Sequence, residues 1–342
     1  MPRHRVALIG LGMAVTPHAK SLVDLADRAE VAYAVSRDAT RRSGFSERFA
    51  FPLADDVDRV LSDASVTAVG ILSPPNTHLE LVSRAARAGK HILLEKPLEI
   101  STARAVELVA AAEKAGVTLG VTLQHRFRPP AERLATILKS GELGRIVNCS
   151  TTIRLWRPQS YYDEPGRGTK ARDGGGVLLT QGIHTLDLML SLAGPIAEVS
   201  GYVVTSAVHR METEDMACAA VRFANGALGV IDATTAAYPG FPERIEIAAE
   251  HGSAVIAGNS LLVQFHDGRR EEMLPDGSPG GTGADPMAFP HDWHLGVWTD
   301  FLDAIEQHRP PRISGHEALK AHRLIDALLE TGATGKPARV AG

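Results

Sequence analysis

The chain has 342 residues, 44% of them apolar and 22% charged, and a formal charge of −4. Its length suits two domains and its composition a globular protein. The slight acidic balance offers no nucleic-acid footprint, no apolar run reaches membrane-spanning length, and no signal-peptide pattern precedes the first strand, so a cytoplasmic protein is expected.

The first third alternates strands with helices. Arg5–Ile9 reads as a short apolar strand, followed by Gly10-Leu-Gly12 and a helix through His18 to Asp27. Val31–Val35 is a second strand and Asp55–Leu61 a short helix. Ala68–Leu72 is a third strand, closed by Ser73-Pro74-Pro75. Thr77–Ala88 is helical, with Leu79, Val82 and Ala86 spaced along it and Gly89 ending it. The run His91-Ile-Leu-Leu-Glu95 reads as a buried strand that leads into Lys96-Pro97. Ser101 caps the next helix, Gly116 stops it, and Val117–Leu123 is a further strand. Repeated strand–helix units predict a doubly wound parallel sheet over residues 1–123.

From Gln124 the pattern changes. A helix is predicted over 130–140 and a strand over 145–154. A glycine-rich loop then leads into one continuous helix, Gly176–Leu192. Strands recur at 197–204, 215–223, 227–233, 244–250, 253–257 and 261–265, joined by turns such as Ala224-Asn-Gly226. They predict a mostly antiparallel sheet. Residues 274–290, rich in Gly and Pro, read as a surface loop, and helices at 293–307 and 316–331 close the chain. Cys149 and Cys218 stand far apart in apolar contexts and read as reduced thiols.

Gly10-Leu11-Gly12-Met13 lies between a strand and a helix, where a dinucleotide fingerprint belongs. The first glycine permits a tight turn, and the second lets a pyrophosphate approach the backbone and the helix N-terminus. Val15 takes the third position, where Gly or Ala is usual. The end of the second strand selects the dinucleotide. An acid there would bind a ribose 2′-hydroxyl, but Ser36 and Arg37 stand there, with Arg41 and Arg42 one turn on. A hydroxyl and a guanidinium suit a 2′-phosphate, so NADP(H) is expected to be preferred and NAD(H) possible. Ser73, Pro74, Asn76 and His78 are further cofactor candidates, Asn76 also as a helix cap. Gln124 and Arg126 are candidates for the nicotinamide side.

Ligands of open α/β sheets bind beyond the carboxyl ends of the strands. Lys96 at such an end can place an ammonium beside a reacting hydroxyl or carbonyl. Glu95 can set its position and charge.

Four features fall in order: Gly10-x-Gly12, Ser73-Pro-Pro-x-x-His78, Glu95-Lys96-Pro97, and Gly174-Gly-Gly-Val-Leu-Leu-Thr180-Gln-Gly-Ile-His184-Thr-Leu-Asp187. With them the chain resembles the glucose–fructose oxidoreductase / inositol dehydrogenase (Gfo/Idh/MocA) family over nearly its whole length. The resemblance implies a Rossmann domain at 1–123. It also implies an α/β domain at 124–342, built on a large, mostly antiparallel sheet, that binds substrate and forms homodimers or homotetramers. It implies hydride transfer between a nicotinamide and a carbinol carbon of a sugar or cyclitol.

Lys96 matches the family's catalytic lysine and His184 its general acid/base histidine, one from each domain. The chemistry agrees. Hydride leaves a carbinol carbon only as the hydroxyl proton leaves, which needs a base that titrates near neutrality and a cation for the developing alkoxide. Glu95 and Lys96 also count among the cofactor contacts, and Lys96 among the substrate contacts. Thr180, His184 and Asp187 stand at i, i+4 and i+7, which predicts one helix face. Asp187 reads either as the group that orients His184 or as a structural acid. Many relatives carry Asp at the position of Thr180. Threonine lacks that charge, and Gln181 is the compensating polar candidate.

The loop 156–173 is aromatic, cationic and glycine-rich. Tyr162 suits stacking on a sugar ring, and Arg157, Arg167, Lys170 and Arg172 suit a carboxylate or phosphate substituent. His291-Asp-Trp293-His294 fits no zinc spacing, so no metal is expected. Two readings compete: a non-catalytic dinucleotide- or sugar-binding regulator on the same scaffold, and an aromatic-diol or semialdehyde dehydrogenase. Neither a nucleic acid nor a membrane is an expected partner.

Overall fold

The computed structural model describes residues 3–275, 277, 282–283, 287 and 289–341. Much of the loop expected at 274–290 lies outside the described residues. The chain forms two compact units, Met1–Gln124 with Pro290–Leu319, and His125–Phe289 with Lys320–Gly342. Pro290–Leu319 thus packs with the first unit, although in the chain it follows the boundary read at 123/124. No helix among the described residues is long and apolar enough to cross a membrane.

The first unit holds strands β1 (His4–Ile9), β2 (Ala29–Val35), β3 (Leu53–Ala54), β4 (Ala68–Ile71), β5 (His91–Glu95) and β6 (Leu119–Thr122). Its helices are α1 (Val15–Asp24), α2 (Ala39–Ser46), α3 (Val57–Ser62), α4 (His78–Arg87) and α5 (Thr102–Lys114). All strands are parallel in the order β3-β2-β1-β4-β5-β6, so the order reverses between β1 and β4. The inner strands are buried on both faces, hence their apolar sequences; β5 is buried from Ile92 onward. Asp38 caps α2, and Ser101 caps α5 as read from the sequence. The cap of α4 is Thr77 rather than Asn76, because Pro75–Thr77 forms a separate 3₁₀ turn first.

The second unit opens with α6 (Pro129–Ser140), β7 (Ile146–Arg154), α7 (Gln159–Tyr162) and α8 (Ile183–Ala193). Strands β8 (Ile196–Val204), β9 (Met216–Phe223), β10 (Leu228–Thr234), β11 (Arg244–Ala249), β12 (Gly252–Ala257), β13 (Ser260–Phe265) and β14 (Arg270–Met273) follow. Helix α9 (Asp292–Glu306) belongs to the first unit, α10 (Gly315–Thr334) runs from the first into the second, and β15 (Ala338–Arg339) is the last strand. The sheet order is β14-β13-β12-β11-β7-β10-β9-β8-β15, antiparallel except for β7 beside β10.

The strict alternation of buried and exposed residues along β9 and β11 gives this sheet one apolar face and one open face. Helices α6 and α8 pack on it, and α8 is buried nearly all round, which explains its apolar composition. Strands β3, β14 and β15 were not apparent in the sequence. They are two to four residues long, too short for a periodic signal.

The predicted continuous helix 176–192 is interrupted. Gly182 donates its N–H to the Val177 carbonyl, 2.6 Å away and five residues back, so Val177–Gln181 forms one π turn before α8. Glu214 causes this start. Its carboxylate accepts the N–H groups of Gly176 (3.0 Å) and Leu178 (3.1 Å), and its carbonyl accepts that of Val177 (2.8 Å). A Cβ on residue 176 would lie 1.7 Å from the Glu214 carbonyl oxygen, so only glycine admits the contact.

Candidate functional site

In the first unit, Gly10 ends β1 with φ +108°, and a Cβ there would lie 2.8 Å from the Leu72 carbonyl carbon and oxygen. The backbone therefore passes bare between the ends of β1 and β4, the place of the sheet reversal. Val15, the departure from the fingerprint, is fully buried under the first turn of α1. A cleft of about 410 Å³ opens here, and Gly10, Ser36, Arg37, Ser73 and Pro74 all line it. Five predicted cofactor residues from three separated segments thus meet in one place. Bare backbone, a cleft and a following helix are what a dinucleotide pyrophosphate needs, and the residues fit it.

The neighbouring predictions divide. Leu11 is buried, and Met13 and Asn76 are exposed. Arg41 is exposed and lies 3.6 Å from Asp38, whereas Arg42 donates to the Ser36 carbonyl at 2.5 Å. His78 is wholly buried and braces two loops, with Nε2 2.8 Å from the Ser73 carbonyl and Nδ1 3.0 Å from that of Pro97. Burial drives its proton affinity below the ordinary histidine value. Asp55, Asp56 and Asp58 also line the cleft and were not anticipated. Asp56 caps α3 and Asp58 pairs with Arg84.

Lys96 stands half-buried just beyond β5. The Glu95 carboxylate, buried, accepts the Lys96 peptide N–H at 3.0 Å and lies 2.8 Å from His18 Nε2. His294 Nε2 is 3.9 Å from the same Glu95 oxygen. Among the described residues, only His18, Glu95 and His294 bring three potential metal-ligand atoms within 4.8 Å of one another.

In the second unit, His184 lies in the first turn of α8, nearly buried, its ring stacked at 4.9 Å on that of His125. Arg128 donates to His125 Nε2. A guanidinium only donates, so that nitrogen is an acceptor and the His125 plane is held. Asp187 is engaged by Arg126 through both oxygens, at 2.7 and 2.6 Å. This pair joins one of the two roles read for Asp187, that of a structural acid, to the guanidinium assigned to the cofactor. Gln124 is buried just before it. Thr180 sits in the π turn, ahead of the α8 that carries His184 and Asp187, and donates to the Gly176 carbonyl at 2.6 Å. Gln181 reaches the Tyr161 hydroxyl at 3.4 Å.

Two residues of the expected substrate loop, Arg157 and Tyr162, are buried. Arg157 is buried and donates to the Trp156 carbonyl at 2.8 Å and to that of Gly283. Tyr162 is buried, with its hydroxyl 2.8 Å from that of Thr235. Both hold the loop together, and their partners offset the cost of burying a guanidinium and a phenol. Arg167 is half-buried, pairs with Glu164 at 2.7 Å and lies over the Tyr161 ring at 4.1 Å.

Two descriptions of one family match, and together they take in most of the chain. Residues 4–123 match the oxidoreductase family, NAD-binding Rossmann fold, and 131–255 match the GFO/IDH/MocA C-terminal domain. The chain belongs to the Gfo/Idh/MocA family. As a member it is an oxidoreductase with a nicotinamide-dinucleotide-binding domain. It is 28% identical to the myo-inositol 2-dehydrogenase of Thermotoga maritima over 93% of this chain and 92% of that one. It is 27% identical to the D-xylose 1-dehydrogenase (NADP(+)) 2 of Haloferax volcanii over 90% of each. The crystal structure of the WlbA dehydrogenase from Bordetella pertussis in complex with NADH and UDP-GlcNAcA superposes with a TM-score of 0.85 at 25% identity, covering all of both chains.

Sequence reasoning on this Gfo/Idh/MocA chain missed His18, Glu214 and Trp298, and weighed His294 only as a metal ligand. Glu214 had no signal, as its partners lie 36 and 38 residues away. His18 did leave a trace, standing on the apolar stripe of α1 between Val15 and Leu22, where a polar group demands a partner.

Proposed function

We propose that the chain is an NAD(P)-dependent dehydrogenase acting on a carbinol carbon of a sugar, cyclitol or related polyol, with Lys96 and His184 carrying the proton chemistry. The observation behind this reading is the place of Lys96. It follows a buried carboxylate at the carboxyl end of β5, in the sheet whose reversal between β1 and β4 carries the cleft. A bound nicotinamide supplies the hydride acceptor or donor. The Lys96 ammonium neutralises charge developing on the substrate oxygen. His184 takes or returns the proton, its ring held flat against His125. Thr180 and Gln181 offer neutral polar contacts in place of a carboxylate. The polyol class is supported by relatives named for myo-inositol and D-xylose.

The test is turnover by the purified chain on a panel of aldoses, cyclitols and UDP-linked sugars, with NAD⁺ and NADP⁺, followed at the nicotinamide absorbance. Dinucleotide binding without turnover on any of them would favour the regulator. Both cysteines are unpaired, in keeping with a cytoplasmic enzyme.

Preference for NADP(H) is part of the proposal. Ser36 and Arg37 in the cleft support it, while Asp55 in the same cleft is the group that would favour NAD(H). Arg37→Ala should weaken NADPH binding about tenfold and leave NADH binding unchanged, because a lost charge-assisted bond to phosphate is worth roughly 1–2 kcal/mol. Fluorescence titration with both dinucleotides measures it. Equal loss for both would refute the assignment.

Self-association through the open sheet face is also proposed. Tyr202, Cys218 and Asp232 form one cross-strand row there, and Ser200, Ala220 and Val230 the next. Tyr202 is 79% exposed and Leu228 58%, unusual for large apolar side chains. Tyr202→Asp should convert a dimer or tetramer into a monomer in light scattering. A monomeric parent would end the proposal.

A further inference from the structure

The Lys96 turn is backed by a buried hydrogen-bond chain drawn from three separate elements. The Trp298 indole, in α9, donates Nε1–H to His18 Nδ1 at 3.0 Å. His18, in α1, meets Glu95 Oε1 through Nε2 at 2.8 Å. Glu95, the last residue of β5, accepts the Lys96 peptide N–H on its other oxygen at 3.0 Å. Both Trp298 and His18 are fully buried.

An indole N–H can only donate. His18 Nδ1 must therefore present its lone pair, and the ring proton sits on Nε2, aimed at the carboxylate. The tautomer is decided by geometry. The same reasoning argues against a metal at His18, Glu95 and His294, since a coordinating Nε2 would need the lone pair that the proton occupies. His294 is held neutral: burial first, then His18, His291 and Lys96, push its proton affinity well below the ordinary histidine value. The titratable groups around the carboxylate are His18 from α1, His294 from α9, His291 just before α9, which meets Asp24 at 2.7 Å, and Lys96 in the turn itself.

We infer that His18, locked in one tautomer by Trp298, is the positioning residue that pins the Glu95 carboxylate and through it sets the place and charge of Lys96. A buried carboxylate is costly unless donors hold it, and here an imidazole and a peptide N–H hold it from two sides. The functional meaning rests on the proposed role of Lys96. The structural claim can be tested without turnover.

The probe is acetic anhydride, used in trace amounts over a pH series on the full-length chain, with and without NADPH. Lys96 acetylation is read by peptide mass spectrometry against the exposed Lys20 and Lys114. His18→Leu should shift the midpoint of the Lys96 profile down by about one pH unit, since an unpinned carboxylate no longer favours the ammonium. His18→Gln, whose amide can accept from Trp298 and donate to Glu95, should restore it. Trp298→Phe keeps the packing and removes only the donor. It should produce a smaller shift of the same sign, and it serves if His18→Leu does not fold. An unmoved Lys96 profile in these variants overturns the inference, as does an equal shift in His18→Leu and His18→Gln, which would mean packing alone. Tight binding of Zn²⁺ by the parent, lost in His18→Gln, overturns it as well. If the His18 pattern holds but Lys96→Ala still turns over, the positioning stands and the catalytic reading of Lys96 falls.

Discussion

Replacing Lys96 by alanine is expected to lower turnover about 10²–10⁴-fold while NAD(P)H affinity stays within a few fold of the parent. That loss corresponds to about 3–5 kcal/mol of transition-state stabilisation. The asymmetry follows from position. Lys96 stands beyond the end of β5, whereas the cleft-lining cofactor residues Gly10, Ser36, Arg37, Ser73 and Pro74 come from other segments. Lys96→Arg keeps the charge but not the compact ammonium and should recover little. His184→Ala should show a loss of similar size, and the double variant should be far from additive if the two act on one proton. The measurement is steady-state kinetics on whichever polyol the panel identifies, with cofactor binding titrated separately. Lys96→Ala with near-parental turnover, or with loss explained by cofactor affinity alone, would remove Lys96 from the chemistry.

Arg126→Leu is expected to destabilise the second unit by about 3–5 kcal/mol, the cost of taking the guanidinium from a buried carboxylate. The Asp187 side chain is 1% exposed and that of Arg126 11%. Two short bonds from the planar guanidinium take both Asp187 oxygens. The double variant Arg126→Leu with Asp187→Leu should regain most of the loss, since removing both charges also removes their desolvation. Urea unfolding would show a lower midpoint for the single variant at an unchanged slope. A cost below about 1 kcal/mol would mean that the pair behaves like a surface ion pair. A stable Arg126→Leu protein that fails to bind dinucleotide would return Arg126 to the cofactor, where the sequence reading put it.

The legible parts of this protein share one physical property, namely that their signal is local. An apolar run marked β5, the Ala224-Asn-Gly226 turn marked the join of β9 and β10, and Ser101 and Gly116 marked helix ends, because each depends on neighbours within a few residues. Failures occurred where a distant group overrode local preference. Residues 176–192 have helical periodicity, yet Glu214 captures two of their N–H groups and forces a π turn first. The partners of Arg157 and Tyr162, Gly283 and Thr235, stand more than seventy residues away and left no local trace.

The chain by itself determined the two-part architecture, the glycine turn after β1, the lysine at the end of β5 and the family to which these belong. Spacing along the chain is enough for each of them. Only the tertiary structure decided what each polar group bonds to. Asp187 faces Arg126 across 61 residues, Glu95 meets His18 across 77, and His18 takes its tautomer from Trp298 across 280. A hydrogen bond is set by donor and acceptor meeting within about 3 Å, and sequence separation carries no information about that distance.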